Sequence, residues 1–168
     1  MKPTNADWGW FAGLIDGDGC VSIGKQSGRY YRVSMIVVNK KPENILKLLR
    51  LFGGHLGKVS RTTASSFING QYYRWVIDGK EVAHALKKSI PHLAEKAQKA
   101  KLALELCRIQ SEYRSLHTYK NREGVNAKME MIYQASLIET GRIDADATAQ
   151  IRSERPARDI LGQALRKE

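Results

Sequence analysis

The chain has 168 residues, a length for one domain, and 42% of them are apolar, an ordinary proportion for a globular core. Its formal charge of +11 and pI near 9.8 point to a polyanionic partner. Cys20 and Cys107 are too few for a disulfide framework and lack zinc-site spacing, and no leader or long apolar run stands in the chain, so secretion and a membrane span are not expected and an intracellular protein is.

The first helix is predicted from about Ala6 to Asp18. Thr4 and Asp7 fit a helix-start pattern and Gly19 stops the element. Inside it Gly9, Gly13 and Gly17 recur every fourth residue, so one helix face carries only bare backbone. Each interior glycine costs about 1 kcal/mol relative to alanine, which is tolerated where the face touches another backbone. Asp16 and Asp18 close the helix at the end whose partial negative charge disfavours acids, and a bound cation would reconcile them.

Residues 20–38 read as an antiparallel strand pair broken at Gln26-Ser27-Gly28. Val21 and Ile23, then Val33, Met35 and Val37, make an apolar face; Ser22, Gln26, Arg32 and Ser34 fall on the other. Pro42 opens a helix over 42–52 with Ile45, Leu48, Leu49 and Phe52 as its buried stripe, ended by Gly53-Gly54. A second strand pair is expected over 56–63 and 67–77, with either Ala64-Ser65-Ser66 or Asn69-Gly70 as its loop. Tyr73, Trp75 and Ile77 would share one of its faces, Tyr72, Arg74 and Val76 the other, and Asp78-Gly79 ends the strand. A short helix follows over 80–89 with Val82, Leu86 and Ala83 inward. Pro91 opens a longer one to about Tyr113, carrying Leu93, Ala97, Ala100, Leu104 and Cys107. After a polar loop, 114–124, a last clear helix runs from about Val125 to Thr140 with Met129, Ile132, Tyr133 and Leu137. The tail from Asp144 is open between helix and disorder. The order α-β-β-α-β-β-α makes an α+β domain spanning 1–168, with a core over about 5–113 and C-terminal helices over 114–168.

Charge is uneven along the chain. Residues 20–62 hold nine Lys or Arg against one acid, Glu43, whereas 120–168 hold nine basic and eight acidic residues. A merely solvated surface would mix the signs in both, so the first stretch is the expected nucleic-acid contact.

The segment Phe11-Ala12-Gly13-Leu14-Ile15-Asp16-Gly17-Asp18-Gly19 resembles the nine-residue signature of the LAGLIDADG homing endonucleases, with seven of nine letters matching. A calcium-loop reading of Asp16-Gly17-Asp18-Gly19 fails because the twelfth position holds Ser27 where glutamate is required. The resemblance covers about residues 5–110. It implies an αββαββα core whose curved, antiparallel, four-stranded sheet forms a saddle over DNA. A single motif per chain implies a homodimer, with Gly9, Gly13, Gly17 and Asp16 at the contact. It also implies hydrolysis of phosphodiester bonds in a double-stranded, approximately palindromic DNA site. The implied cofactor is Mg²⁺, with Mn²⁺ able to replace it and Ca²⁺ supporting binding without cleavage.

The resemblance assigns Asp18 as metal ligand and catalytic residue, joined by the Gly17 carbonyl. Asp16 is open between a structural hydrogen-bonding role, which is favoured, and a catalytic one. A polar active-site residue at the end of the second strand falls on Asn39, with Lys40 as its rival. A second active-site position, a lysine opening the long helix that positions or polarises the water, falls on Lys96, with Lys99 and Lys101 nearby. Base contacts are expected from Gln26, Arg29, Arg32 and Arg74, with Ser22, Ser34, Ser60, Thr62 and Tyr72 around them. Lys25, Lys40, Lys41, Lys58 and Arg61 are expected on phosphates. The alternative function is an RNA-binding intron maturase of the same fold, non-cleaving or bifunctional. A transcription regulator of this class would add a helix-turn-helix, and 114–168 contains no convincing one.

Overall fold

The computed structural model describes residues 2–26, 30–57, 72–115 and 122–141. The elements are α1 (Asn5–Asp18), β1 (Gly19–Gln26), β2 (Tyr30–Asn39), α2 (Pro42–Phe52), β3 (His55–Gly57), β4 (Tyr73–Asp78), α3 (Gly79–Ser89), a 3-10 turn (Ile90–His92), α4 (Ala97–Ser115) and α5 (Arg122–Glu139). Both candidate loops of the second strand pair lie outside the described residues. No described helix is long and apolar enough to cross a membrane.

The four strands form one antiparallel sheet in the order β1-β2-β4-β3. Alternation decides its two faces. Val21, Ile23, Val33, Met35, Val37, Trp75 and Ile77 are buried and join one core with Phe11 and Ile15 of α1, Ile45 and Leu48 of α2, and Leu86 of α3. The opposite face carries Cys20, Ser22, Arg32, Ser34, Ile36, Arg74 and Val76, with Ser22 opposite Ser34 and Ile36 opposite Val76.

Trp75 shows how the second half of the sheet is tied to the helices. Its ring is fully buried and its Nε1 donates to the Gly53 carbonyl at the end of α2, 2.8 Å away. The chain turns there through Gly54 at φ +77, where a Cβ would stand 2.5 Å from the Val76 carbonyl oxygen. Only glycine fits that approach.

At the N-terminus the expected capping pattern is a complete capping box. Thr4 Oγ1 accepts from the Asp7 amide at 3.3 Å and the Asp7 carboxylate accepts from the Thr4 amide at 3.0 Å. These bonds hold the Asp7 carboxyl below its ordinary range, the Thr4 amide contributing most.

The long helix departs from expectation in two ways. It starts at Ala97, because Ile90–His92 forms a 3-10 turn and residues 94–96 are irregular, with two of their amides held by a side chain of α1. Its fully buried positions are Ala100, Ala103, Leu106 and Ile109, while Ala97, Leu104 and Cys107 are half-buried. In α3, Ala85 is buried where Ala83 was expected to be.

The compact unit that contains the sheet runs to Tyr133, and a second begins at Gln134. The first is longer than the expected core because α5 contributes to it: Met129 is buried in the core, and the Tyr133 ring lies 5.8 Å from that of Tyr31. Glu130 accepts from Lys25 Nζ at 2.6 Å and from the Tyr31 hydroxyl. Of the second unit residues 134–141 are described: the end of α5 to Glu139 and a turn after it, in which the Thr140 hydroxyl donates to the Ser136 carbonyl at 2.9 Å.

Burial and the hydrogen bond to Glu130 push the Tyr31 phenol above its ordinary range. A raised folded-state value contributes stability that is present below the unfolded value of about 10 and is lost as the pH rises through the folded one. Urea denaturation at a series of alkaline pH values is expected to show this loss in the native chain and a shallower alkaline decline in Tyr31→Phe. Equal slopes for the two proteins would detach the shift from stability.

Candidate active site at the end of the first helix

The last four carbonyls of a helix have no partner inside it. α1 has no basic residue in its last turn to offset them. Lys96 does so from across the fold. Its Nζ donates to the Ile15 carbonyl at 2.8 Å and to the Asp16 carbonyl. In return the Asp16 carboxylate accepts the amides of Ala94 at 2.7 Å and Lys96 at 3.0 Å. The cation that the sequence demanded at this helix end is thus partly a lysine of the chain itself. Both oxygens of the Asp16 carboxylate are thus engaged by backbone amides of the segment before α4. Lys96 stands one residue before α4, and its carbonyl accepts the Ala100 amide at 2.9 Å, so the lysine's backbone belongs to the helix start.

Asp18 is the last residue of α1 and is exposed. The turn into β1 is tight at Gly19, where a Cβ would meet the Ile15 Cα at 2.8 Å and the Ile36 carbonyl oxygen at 2.9 Å. Glycine here serves close approach, since its φ of −108° is open to any residue. That approach carries the end of α1 against β2 and brings Asp18 to Asn39. The Asn39 Nδ2 donates to Asp18 Oδ2 at 2.6 Å. Asn39 Oδ1 faces two donors, the Lys41 amide at 2.8 Å and Asn44 Nδ2 at 3.5 Å, which fixes the orientation of the amide. The rival, Lys40, instead lies over the Tyr72 ring, 5.1 Å from its centre. Asp18, Asn39, Lys40, Lys41, Asn44 and Tyr72, with Val38, line an open depression of about 440 Å³. Asn44 was not singled out from sequence, and nothing in its spacing marks it.

Opposite the buried face of α1, formed by Trp8, Phe11, Ala12 and Ile15, stand the three glycines. A Cβ at Gly9, Gly13 or Gly17 would meet nothing within 4 Å. Packing among the described residues therefore does not explain them.

On the exposed face of the sheet, Arg32 forms an ion pair with Asp78, the residue that the sequence marks only as a strand end. Arg74 lies along β3, its aliphatic carbons in the space where Gly57 would carry a Cβ. Ser22 is half-buried and Ser34 is buried at 7% exposure. Lys40 and Lys41 are exposed near Asp18. Lys25 departs from expectation. It shares the parity of Val21 and Ile23 and pairs with Tyr31 in register, so it lies on the helix side of the sheet with its ammonium on Glu130. Gln26 pairs with Tyr30 at the end of the hairpin where β1 passes into β2. Arg29, Lys58, Ser60, Arg61 and Thr62 lie outside the described residues.

The exchange between Asp16 and the 94–96 segment predicts a stability effect. Asp16→Ala leaves two amides without their acceptor and is expected to cost about 1–3 kcal/mol in urea denaturation. Lys96→Met is expected to destabilise as well, by removing the cation from the carbonyls of α1, while Lys96→Arg retains part of it. No change in midpoint for Asp16→Ala would remove the clamp from the account of the fold.

Comparisons with known proteins bear on the fold. A family profile described as LAGLIDADG-like domain matches residues 6–91, just over half of the chain. No curated protein sequence matches it. Among solved structures, the fold is similar to the homing endonuclease I-CvuI, with a TM-score of 0.53 and 20% identity over 82% of this chain and 79% of that one. It is similar to the archaeal intron-encoded homing endonuclease I-Vdi141I, with a TM-score of 0.58 and 15% identity over 84% and 86%. The meganuclease I-SmaMI gives a TM-score of 0.57 and 14% identity over 79% of this chain and 43% of that one. At these identities the likeness is one of fold. With the motif helix, the four-stranded antiparallel sheet and the matched region together, the chain belongs to the LAGLIDADG-like domain family.

Proposed function

We propose that the protein is a site-specific, double-strand DNA endonuclease of the homing type, encoded in an intron and acting as a homodimer with divalent metal at its axis. The observation that carries this reading is an adjacency at the end of α1. The exposed Asp18 carboxylate, held by Asn39, stands beside a glycine face on which a Cβ would meet nothing. A two-fold axis along that face would pair identical backbones and bring both copies of Asp18 together. Further support comes from structures of this fold solved on DNA, I-CvuI in the presence of magnesium and of calcium among them.

The donor set is compatible with a hard cation, provided two chains share it. Asp18 offers a carboxylate and Gly17 a carbonyl near the helix end, both oxygen donors suited to Mg²⁺ or Mn²⁺. Among the described residues of one chain no three of His, Cys, Asp and Glu gather to hold a metal. One chain thus supplies part of a site, and its copy would complete it. When bound, a divalent ion lowers the pKa of a water and offsets charge on the phosphate.

The chain's own residues prepare that site. Asp18 would hold the ion and Asn39 directs its carboxylate. Lys96 neutralises the carbonyls behind it, so that the negative charge of the helix end is concentrated at its last residues. Ca²⁺ would fill the site and support binding without cutting. The exposed sheet face, with Arg32 and Arg74, would lie in the major groove of an approximately palindromic site, and Lys40 and Lys41 would reach phosphates.

Two measurements test the reading. Gly13→Leu removes a helix glycine where the single chain has room, so the monomer is expected to melt no lower, with a gain of up to about 1 kcal/mol in helix propensity. The same change is expected to abolish dimerisation by overpacking, seen in sedimentation. A native protein that stays monomeric at micromolar concentration would remove the glycine-face argument. Asp18→Asn keeps an acceptor for Asn39 and loses the charge that holds a cation. Binding to the uninterrupted insertion site in Ca²⁺ is expected to survive, and cleavage in Mg²⁺ to fall by orders of magnitude. Full cutting by this variant would refute the assigned role of Asp18. Absence of cutting by the native protein, with RNA binding in its place, would replace the endonuclease by a maturase.

A further inference from the structure

Asp78 is a negative charge on the face that the proposed function turns toward DNA. It is also placed to be a helix cap. It occupies the N-cap position of α3 with an extended backbone, and aspartate there ordinarily accepts an amide of the first turn. Its side chain makes no such bond. The carboxylate instead reaches across the sheet to Nη2 of Arg32, from a site 22% exposed to one 52% exposed. Stability does not account for that choice. A surface ion pair contributes little, and a side-chain cap contributes at least as much. Affinity for DNA does not account for it either, because a carboxylate on this face repels phosphate.

What the contact does is orient a guanidinium. Arg32 on β2 stands opposite Gly24 on β1, where a Cβ would meet nothing within 4 Å. Its neighbour Ser34 is paired in register with Asp78. A planar group with five donors is therefore held at one nitrogen, Nη2, while its other donors belong to a side chain 52% exposed whose cross-strand neighbour on β1 is a glycine. A free arginine on a DNA-facing surface can swing to the nearest phosphate and read nothing. A tethered one can present two parallel donors to a base edge, and guanine O6 and N7 are the pair of acceptors that match.

We propose that Asp78 is a positioning residue for base readout: it holds the Arg32 guanidinium by one nitrogen on the DNA-facing side of the sheet, so that Arg32 reads one guanine in each half-site. This rests on the DNA-binding reading above and adds to it a residue, a base and a division of labour.

The test uses the full-length protein and a pool of duplexes randomised over 30 positions, selected in Ca²⁺ and sequenced. The native chain is compared with Arg32→Ala, Asp78→Asn, Asp78→Ala and the double variant Arg32→Ala/Asp78→Ala. Asn can still cap α3, and melting curves report whether each variant is folded. In the native motif one column per half-site is expected to favour guanine by roughly 10- to 100-fold. Arg32→Ala is expected to flatten that column alone. Asp78→Asn and Asp78→Ala are expected to weaken the same column by roughly threefold or more, leave the other columns intact, and strengthen binding to scrambled duplex. The double variant is expected to match Arg32→Ala at that column, since the carboxylate acts through the arginine. An unchanged column in a folded Asp78→Ala protein, or an Arg32-dependent column that is not guanine, would overturn the proposal while leaving DNA recognition standing. A native protein that enriches no motif would overturn the DNA-binding reading and this inference with it.

Discussion

The structure depends on how one helix end is closed. α1 ends in a turn with two acids and no basic residue of its own, and of its last carbonyls that of Ile15 accepts the Gly19 amide. The segment before α4 closes it by a two-way exchange: the Asp16 carboxylate takes the amides of Ala94 and Lys96, and the Lys96 ammonium takes the carbonyls of Ile15 and Asp16. Each partner satisfies groups that the other leaves open, so neither end of the contact is stable without its counterpart. It joins residues eighty positions apart. It also interrupts the helix expected from Pro91, because those amides are turned toward α1.

From that closure the position of Asp18 follows. With the carbonyls of Ile15 and Asp16 paired, the chain turns at once into β1 through Gly19, pressed against Ile15 and the Ile36 carbonyl. Asp18 is left at the rim, within 2.6 Å of an amide whose other side is held by β2's exit and α2. The core side of α1, with Phe11 and Ile15 fully buried, holds the helix on the sheet. Its opposite side stays bare. That side carries Gly9, Gly13 and Gly17, the face that the proposed dimer would use.

The positive charge of the chain is distributed by strand parity. Arg32 and Arg74 fall on the exposed face, whereas Lys25, seven residues before Arg32, falls on the core side and is neutralised by Glu130. A count of basic residues treats these alike. The pleat separates them, because alternate positions of a strand are on opposite faces and a residue beyond the reach of the core can still be covered by a helix such as α5.

Local patterns in the sequence determined the elements and their order. The capping box at Thr4, Pro42 at a helix start, period-two alternation in β1 and β2, and the Gly53-Gly54 stop all act within a few residues, and each is where the pattern put it. The motif letters carried Asp18, and with them the family. Tertiary structure alone decided what depends on distant partners. The bonds of Asp16 and Lys96, the capture of Lys25 by Glu130, the amide of Asn39 fixed by Asn44 and Lys41, and the departure of Asp78 from its cap to Arg32 are set by which side chains the sheet and helices bring together. A spacing rule sees a residue and its neighbours along the chain. A carboxylate or ammonium responds to whatever donor or acceptor lies within about 3 Å, and only the folded chain supplies that partner.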